Sequence, residues 1–116
     1  MVKKAAQMER EVRERMRGGS GAVEILHVFK QGELRSGKAR LFARLRLASG
    51  CSIGWHLHDN EEEVFYILAG HGLLTEEGRQ AEVGPGDAAL TGGGAGHAIE
   101  NAGSEPLELL AVILLS

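Results

Sequence analysis

The stretch GWHLHDNEEEVFYILAGHG, residues Gly54–Gly72, joins two histidines spaced two apart, three consecutive glutamates and an apolar run. Alternate side chains of an extended strand point to the same face, so His56 and His58 project together and can share an ion. Taken alone, the pair equally suits two exposed or core histidines. The same alternation sorts the glutamates: Glu61 and Glu63 share a parity within EEEVFYILA, and Glu62 points the other way. Glu63 directly precedes the apolar run and belongs inside the strand, whereas Glu61, nearer the turn, is expected in solvent. Glu62 remains the alternative to Glu63, because a strand start is uncertain by a residue or two. Phe65 and Ile67 share the parity of Glu63 and are expected to line the interior. Tyr66 faces away, to pack between layers or subunits. His71 follows Gly70 in a turn and reads as exposed.

Outward from this stretch the chain reads as short strands divided by turns. AVEILHVF (22–29), ARLFARLRLA (39–48), SIGWHLH (52–58), DAAL (87–90), HAIEN (97–101) and LELLAVILL (107–115) are strand candidates, with GLLTEEGRQAEV (72–83) a hairpin turning at Glu77 and Gly78. Eight or nine short strands with glycine-rich turns are the pattern of an all-β sandwich or barrel. Seventeen glycines in 116 residues suit so many tight turns. The last strand is apolar on both parities and needs cover on both faces, which a second subunit would provide. Residues 3–17 read as a helix, since Ala5, Met8, Val12 and Met16 fall at spacings of three and four and Glu9 pairs with Arg13. A strand also fits there, because Met8, Val12 and Met16 share a parity. GGSG at 18–21 then breaks the chain.

Composition narrows the function. Hydrophobic residues at 43% and charged residues at 25% describe an ordinary globular chain long enough for one domain. The net charge of −3 argues against nucleic acid or an anionic membrane as the main partner. Lys3, Lys4, Arg10, Arg13, Arg15 and Arg17 are interleaved with Glu9, Glu11 and Glu14, which reads as a solvated face and not a polyanion patch. The single cysteine, Cys51, has no internal partner, and no apolar run near the N-terminus resembles a signal peptide, so a cytoplasmic location is expected.

The spacing around the histidines is specific. Gly50, five residues, His56, one residue, His58, four residues, Glu63, six residues and Gly70 form one pattern. Gly86, seven residues, Gly94, two residues, His97, three residues and Asn101 form a second, fifteen residues downstream. These resemble the two signature motifs of the cupin superfamily. The second departs once, with Gly92 where the family usually has proline. The resemblance implies an antiparallel jelly-roll barrel (a double-stranded β-helix) over residues 22–116, and the helix or arm of residues 1–21 lies outside it. It also implies one divalent metal held by His56, His58, Glu63 and His97. Three neutral imidazoles and a carboxylate suit Mn, Fe, Co, Ni, Cu or Zn and leave coordination positions open. An empty, vestigial site is the alternative.

The remaining candidates have milder readings. His27 is expected to be packed or on the surface, or else to reach the pocket as a proton donor. Arg44 and Arg46 read as exterior charges, or, if interior, as a clamp for a substrate carboxylate. Trp55 is expected in the core or an interface, and Cys51 as a small packed residue. Asn101 should fix the turn before Pro106 by hydrogen bonding, and the glycine run 92–96 should let the backbone pass close to the barrel mouth and place His97. The expectation is a small cupin, dimeric, acting as a metal-dependent enzyme of oxygenase or isomerase type on a small molecule. The alternatives are a non-catalytic ligand-binding or sensory module and a structural barrel without metal.

Overall fold

Alternating apolar side chains demand strands with one buried face, and the computed structural model, which describes Met1–Ser116, has ten of them. They are β1 (Glu9–Glu14), β2 (Ala22–His27), β3 (Ala39–Leu47), β4 (Ser52–Leu57), β5 (Glu61–Ala69), β6 (Gly72–Glu76), β7 (Arg79–Val83), β8 (Ala88–Gly92), β9 (Gly96–Glu100) and β10 (Leu107–Leu115). All neighbours pair antiparallel. One sheet runs β1-β2-β3-β10-β5-β8 and the other β4-β9-β6-β7, giving a jelly-roll double-stranded β-helix. No helix is long and apolar enough to cross a membrane.

The core draws on both sheets. Val23, Ile25, Ala43, Leu45, Leu47, Phe65, Ile67, Leu107, Leu109 and Ala111 come from the larger sheet, and Ile53, Leu74 and Ile99 from the smaller. Strand β10 lies between β3 and β5 and sends Leu107, Leu109, Ala111 and Ile113 inward. Each buried Leu or Ile stabilises by roughly 1.5–3 kcal/mol, so this one strand is a large contributor to the fold. Its other face is also apolar. Leu110 pairs with Tyr66, Val112 with Val64, and Val64 with Leu90. Tyr66, Leu68, Leu90 and Leu114 on that face are exposed.

Arg44 and Arg46 lie on the outer face of β3 beside Glu108, at 3.7 and 3.9 Å, so the exterior reading holds. The β6–β7 hairpin closes with Glu76 opposite Arg79, around the expected turn at Glu77 and Gly78. Asn101 is buried and makes the expected turn: its amide donates to the carbonyls of Leu47 (2.9 Å) and Glu105 (2.8 Å), and its side-chain oxygen accepts from the Gly103 N–H (2.9 Å).

The helix expected over residues 3–17 does not form. Two single 3-10 turns, Ala5–Gln7 and Met16–Gly18, flank β1, which pairs with β2 from Glu9 opposite His27 to Glu14 opposite Ala22. Across that pairing Arg10 meets Glu24 at 2.8 Å and Glu11 meets His27 at 2.6 Å. An edge of the sheet that offers ladder hydrogen bonds and ion pairs outweighs modest helix propensity. The N-terminal segment is therefore an arm and not a helix.

Candidate metal centre

Strand alternation alone would not bring His56 to the interior, because Ile53, three residues earlier, also points inward. The register resolves the conflict. Ile53 lies opposite Ile99 and His56 opposite His97, so β4 carries one more residue than β9 between these pairs. That extra residue, at Gly54–Trp55, is a β-bulge, which shifts parity and turns the following side chains. His56 and His58 then face inward together. His58 lies just past β4 and is tied to the glycine loop: its N–H donates to the Ala95 carbonyl (3.0 Å), and its carbonyl accepts from the Gly94 N–H (2.9 Å). Glu63 reaches the same point from β5, in the opposite sheet, and Glu62 is exposed. Phe65 stacks on the His97 ring, with centroids 4.7 Å apart and planes 10° apart, and fixes its orientation.

The four side chains converge: their ligand atoms all lie within 4.8 Å of one another. His97 Nε2 is 3.1 Å from His58 Nε2, 3.1 Å from His56 Nε2 and 3.0 Å from Glu63 Oε1. Glu63 Oε1 is 2.9 Å from His58 Nε2. Hydrogen bonds on the far nitrogens assign two tautomers. His56 Nδ1 faces the Gly54 carbonyl at 2.8 Å, and His58 Nδ1 faces the Glu61 carboxylate at 2.5 Å. Both acceptors require N–H at Nδ1, which leaves a bare lone pair on each Nε2. His97 cannot satisfy them both. Protonated on Nε2, it serves one of three acceptors, while its buried Nδ1 has no partner. Protonated on Nδ1, it adds another inward lone pair. Four electron-pair donors packed this closely fit a divalent cation, which all four can bind at once.

The charges agree with this donor set. Burial of Glu63 alone would raise its pKa, but the surrounding imidazoles of His56, His97 and His58 prevail and hold it at about 2. Burial pushes His97 below its usual value against the opposing pull of Glu63, which favours a neutral, ligating ring.

Glu61 corrects the sequence reading. It is not solvated; its side chain is only 13% exposed and is held at both ends. Arg40 grips it with two bonds, Nε to Oε1 at 2.7 Å and a terminal nitrogen to Oε2 at 2.8 Å, and Oε2 also takes the His58 proton. The Arg40 bonds, aided by His58, hold Glu61 at about 2 despite its burial. Arg40 gets there by a second bulge. Ala39 lies opposite Leu114 and Leu41 opposite Ile113, so Arg40 has no partner in β10 and leaves the outward parity it shares with Arg44 and Arg46. The result is a carboxylate–histidine pair behind a candidate ligand, an arrangement that orients the imidazole and raises its basicity.

Beside the cluster lies a cavity of about 150 Å³, lined by His56, His58, Glu63 and Phe65 and, on other walls, by Arg13, Arg17, His27 and Arg40. His27 is thus no bystander: it reaches the cavity, with Nε2 against Glu11 at 2.6 Å. Phe65 and Ile67 are buried as expected, Tyr66 and His71 are exposed, and Cys51 packs against the core. Trp55 is not a core residue. It is 46% exposed and lies against Gly96.

Comparison with known proteins fits this architecture. A family model described as "Cupin domain" matches residues 43–113. A Thermotoga maritima protein named "Oxalate-binding protein" is 43% identical over 115 residues, covering 99% of this chain and 94% of its own. A crystal structure from the same organism, described as a "predicted oxalate decarboxylase", aligns over the whole of both chains with a TM-score of 0.94 and 41% identity. An uncharacterised protein of Methanocaldococcus jannaschii is 34% identical over 92 residues, 79% of this chain and 70% of its own. With the family model spanning more than half of the residues, and a relative matched along nearly its full length, the chain belongs to the cupin family.

Proposed function

We propose that the protein binds one divalent transition metal through His56, His58, Glu63 and His97 and uses it to capture a small dicarboxylate, oxalate first among the candidates. The observation that carries the metal is the convergence of three imidazole Nε2 atoms and an ionised carboxylate, with two tautomers set by Gly54 and Glu61. The similarity to a protein named for oxalate binding supports the ligand. So does the small size of the cavity, where arginines outnumber the single lining carboxylate, Glu63. When bound, the metal supplies Lewis acidity and open positions for carboxylate oxygens. This chain's residues do the rest. Phe65, Leu45 and Ile113 keep part of the wall apolar, Glu61 and Arg40 hold His58 in place, and the unpaired Arg17 favours an anion.

Protein stripped with chelator and reloaded in turn with Mn, Fe, Co, Ni, Cu or Zn should take up stoichiometric metal and bind oxalate only when loaded. Failure to hold metal, or equal oxalate binding without it, would overturn this reading. A catalytic reading has one observation in its favour. His27, braced by Glu11, is positioned on the cavity wall to hold or move a proton. Release of carbon dioxide from oxalate, or oxygen uptake and isomerisation across a panel of small acids, would identify an enzyme; inertness to all of them leaves a binding module.

The exposed apolar face over β5, β8 and β10 belongs, in this proposal, to a homodimer of a cytoplasmic protein. Tyr66, Leu68, Leu90 and Leu114 are too apolar to face water together without cost. Light scattering at micromolar concentration should give the mass of a dimer, and a monomer mass would remove the claim.

A further inference from the structure

We propose that the N-terminal arm supplies the anion-recognition group of the cavity, with Arg17 binding the carboxylate oxygens of a dicarboxylate that the metal does not take. This rests on the metal and dicarboxylate reading above. The other two arginines on the cavity wall, and His27, are already engaged. Arg40 makes both its bonds to Glu61. Arg13 contacts Glu11 at 3.1 Å, and His27 holds the same carboxylate at 2.6 Å. Arg17 lines the cavity with no hydrogen bond or ion pair from its side chain to the rest of the protein. A guanidinium is a planar fork that matches a carboxylate in two bonds, so an unpaired, solvent-exposed one lining the same cavity as His56, His58 and Glu63 is a ready second anchor for a diacid.

The backbone shows that Arg17 is placed there by construction. Arg15 and Arg17 both adopt left-handed conformations, with φ of 50° and 55°, which non-glycine residues rarely take. Such conformations persist where the surroundings over-determine them. Here the Arg15 N–H donates to the Gly21 carbonyl at 2.8 Å, and its own carbonyl accepts from the Gly18 N–H at 2.9 Å. Met16 packs against the core. The turn also lies directly on β4. A Cβ added at Gly54 would collide with the Arg17 carbonyl, and one added at Gly19 would collide with the Ser52 carbonyl. Gly54 is two residues before His56 and part of the bulge that aims it, so one strand segment positions both the metal ligand and the arm.

The test uses full-length, metal-loaded protein and calorimetric titration with oxalate and with acetate. Arg17→Ala should leave metal affinity unchanged and weaken oxalate by roughly ten- to hundredfold, the range for losing charge-assisted hydrogen bonds. Acetate has no second carboxylate and should change by less than about threefold. Arg17→Lys should recover only part of the oxalate affinity, since an ammonium restores charge but not the fork. Unchanged oxalate binding in loaded Arg17→Ala, or an equal loss for acetate and oxalate, overturns the role of Arg17 while leaving the dicarboxylate reading intact. Loaded wild-type protein that binds no oxalate overturns both.

Discussion

Replacing Glu63 by Gln is expected to leave a folded barrel whose metal affinity falls by more than the ~100-fold that marks the upper range for losing an outer-sphere partner. Glu63 is 4% exposed and touches all three histidine rings of the cluster. The neutral amide removes the only negative charge in the donor set. Its NH2 group can instead donate to the bare Nε2 of His58, relieving the crowding of lone pairs without a cation. Metal-free Glu63→Gln should therefore melt no lower than the metal-free parent, even though it has lost its ligand. Glu61→Gln provides the graded comparison. An amide oxygen can still accept the His58 proton, but the paired bonds to Arg40 are compromised. A loss of roughly 10–100-fold is expected there. Competition against a chromophoric chelator measures both. If Glu63→Gln binds metal as the parent does, Glu63 is not a ligand.

Phe65→Ala should destabilise the protein by about 3–5 kcal/mol, the usual cost of removing a fully buried aromatic ring. That is a large share of the ~5–15 kcal/mol that holds a domain of this kind together. The ring is 2% exposed and stacked on His97, so its loss leaves a void on one side of that imidazole and frees it to tilt. Urea unfolding should show a lower midpoint with an unchanged slope. Saturating metal should restore part of the difference, because binding to the native state alone stabilises it by mass action. A loss below about 1 kcal/mol would show that the ring is not a packed element of the core.

Much of this site is legible in the amino-acid sequence, because two-residue alternation is a strong constraint. It separates Glu63 from Glu62, Phe65 from Tyr66, and Leu45 and Leu47 from Arg44 and Arg46. The turn role of Asn101 is legible for a similar reason, as its side chain bonds locally. The misread Glu61–Arg40 pair has a physical cause. A bulge is a property of two strands together, and neither the extra residue at Gly54–Trp55 nor the one at Arg40 can be counted from one strand. Glu61 reads as solvated because it sits near the turn, and its partner Arg40 shares the parity of the exterior Arg44 and Arg46. Gly54 inside an otherwise β-prone run is the one local signal for the first bulge. The N-terminal segment misleads differently. Met8, Val12 and Met16 satisfy both the helical and the extended period, and only the edge of β2, with Glu24 and His27 waiting, decides between them. His27 is hard to place for the same reason, since its company on the cavity wall comes from that arm.

The two sheets contribute unequally to the cluster: His56, His58 and His97 belong to the smaller one and its connecting loop, while Glu63 is a residue of the larger. A cation held by all four side chains would be a rivet through the sandwich. Neither layer could slide or lift away without breaking coordination, so metal release and separation of the layers become one mechanical event. The strands around the rivet would then open only with the whole molecule, while β7, the outer strand of the smaller sheet, stays free to fray on its own.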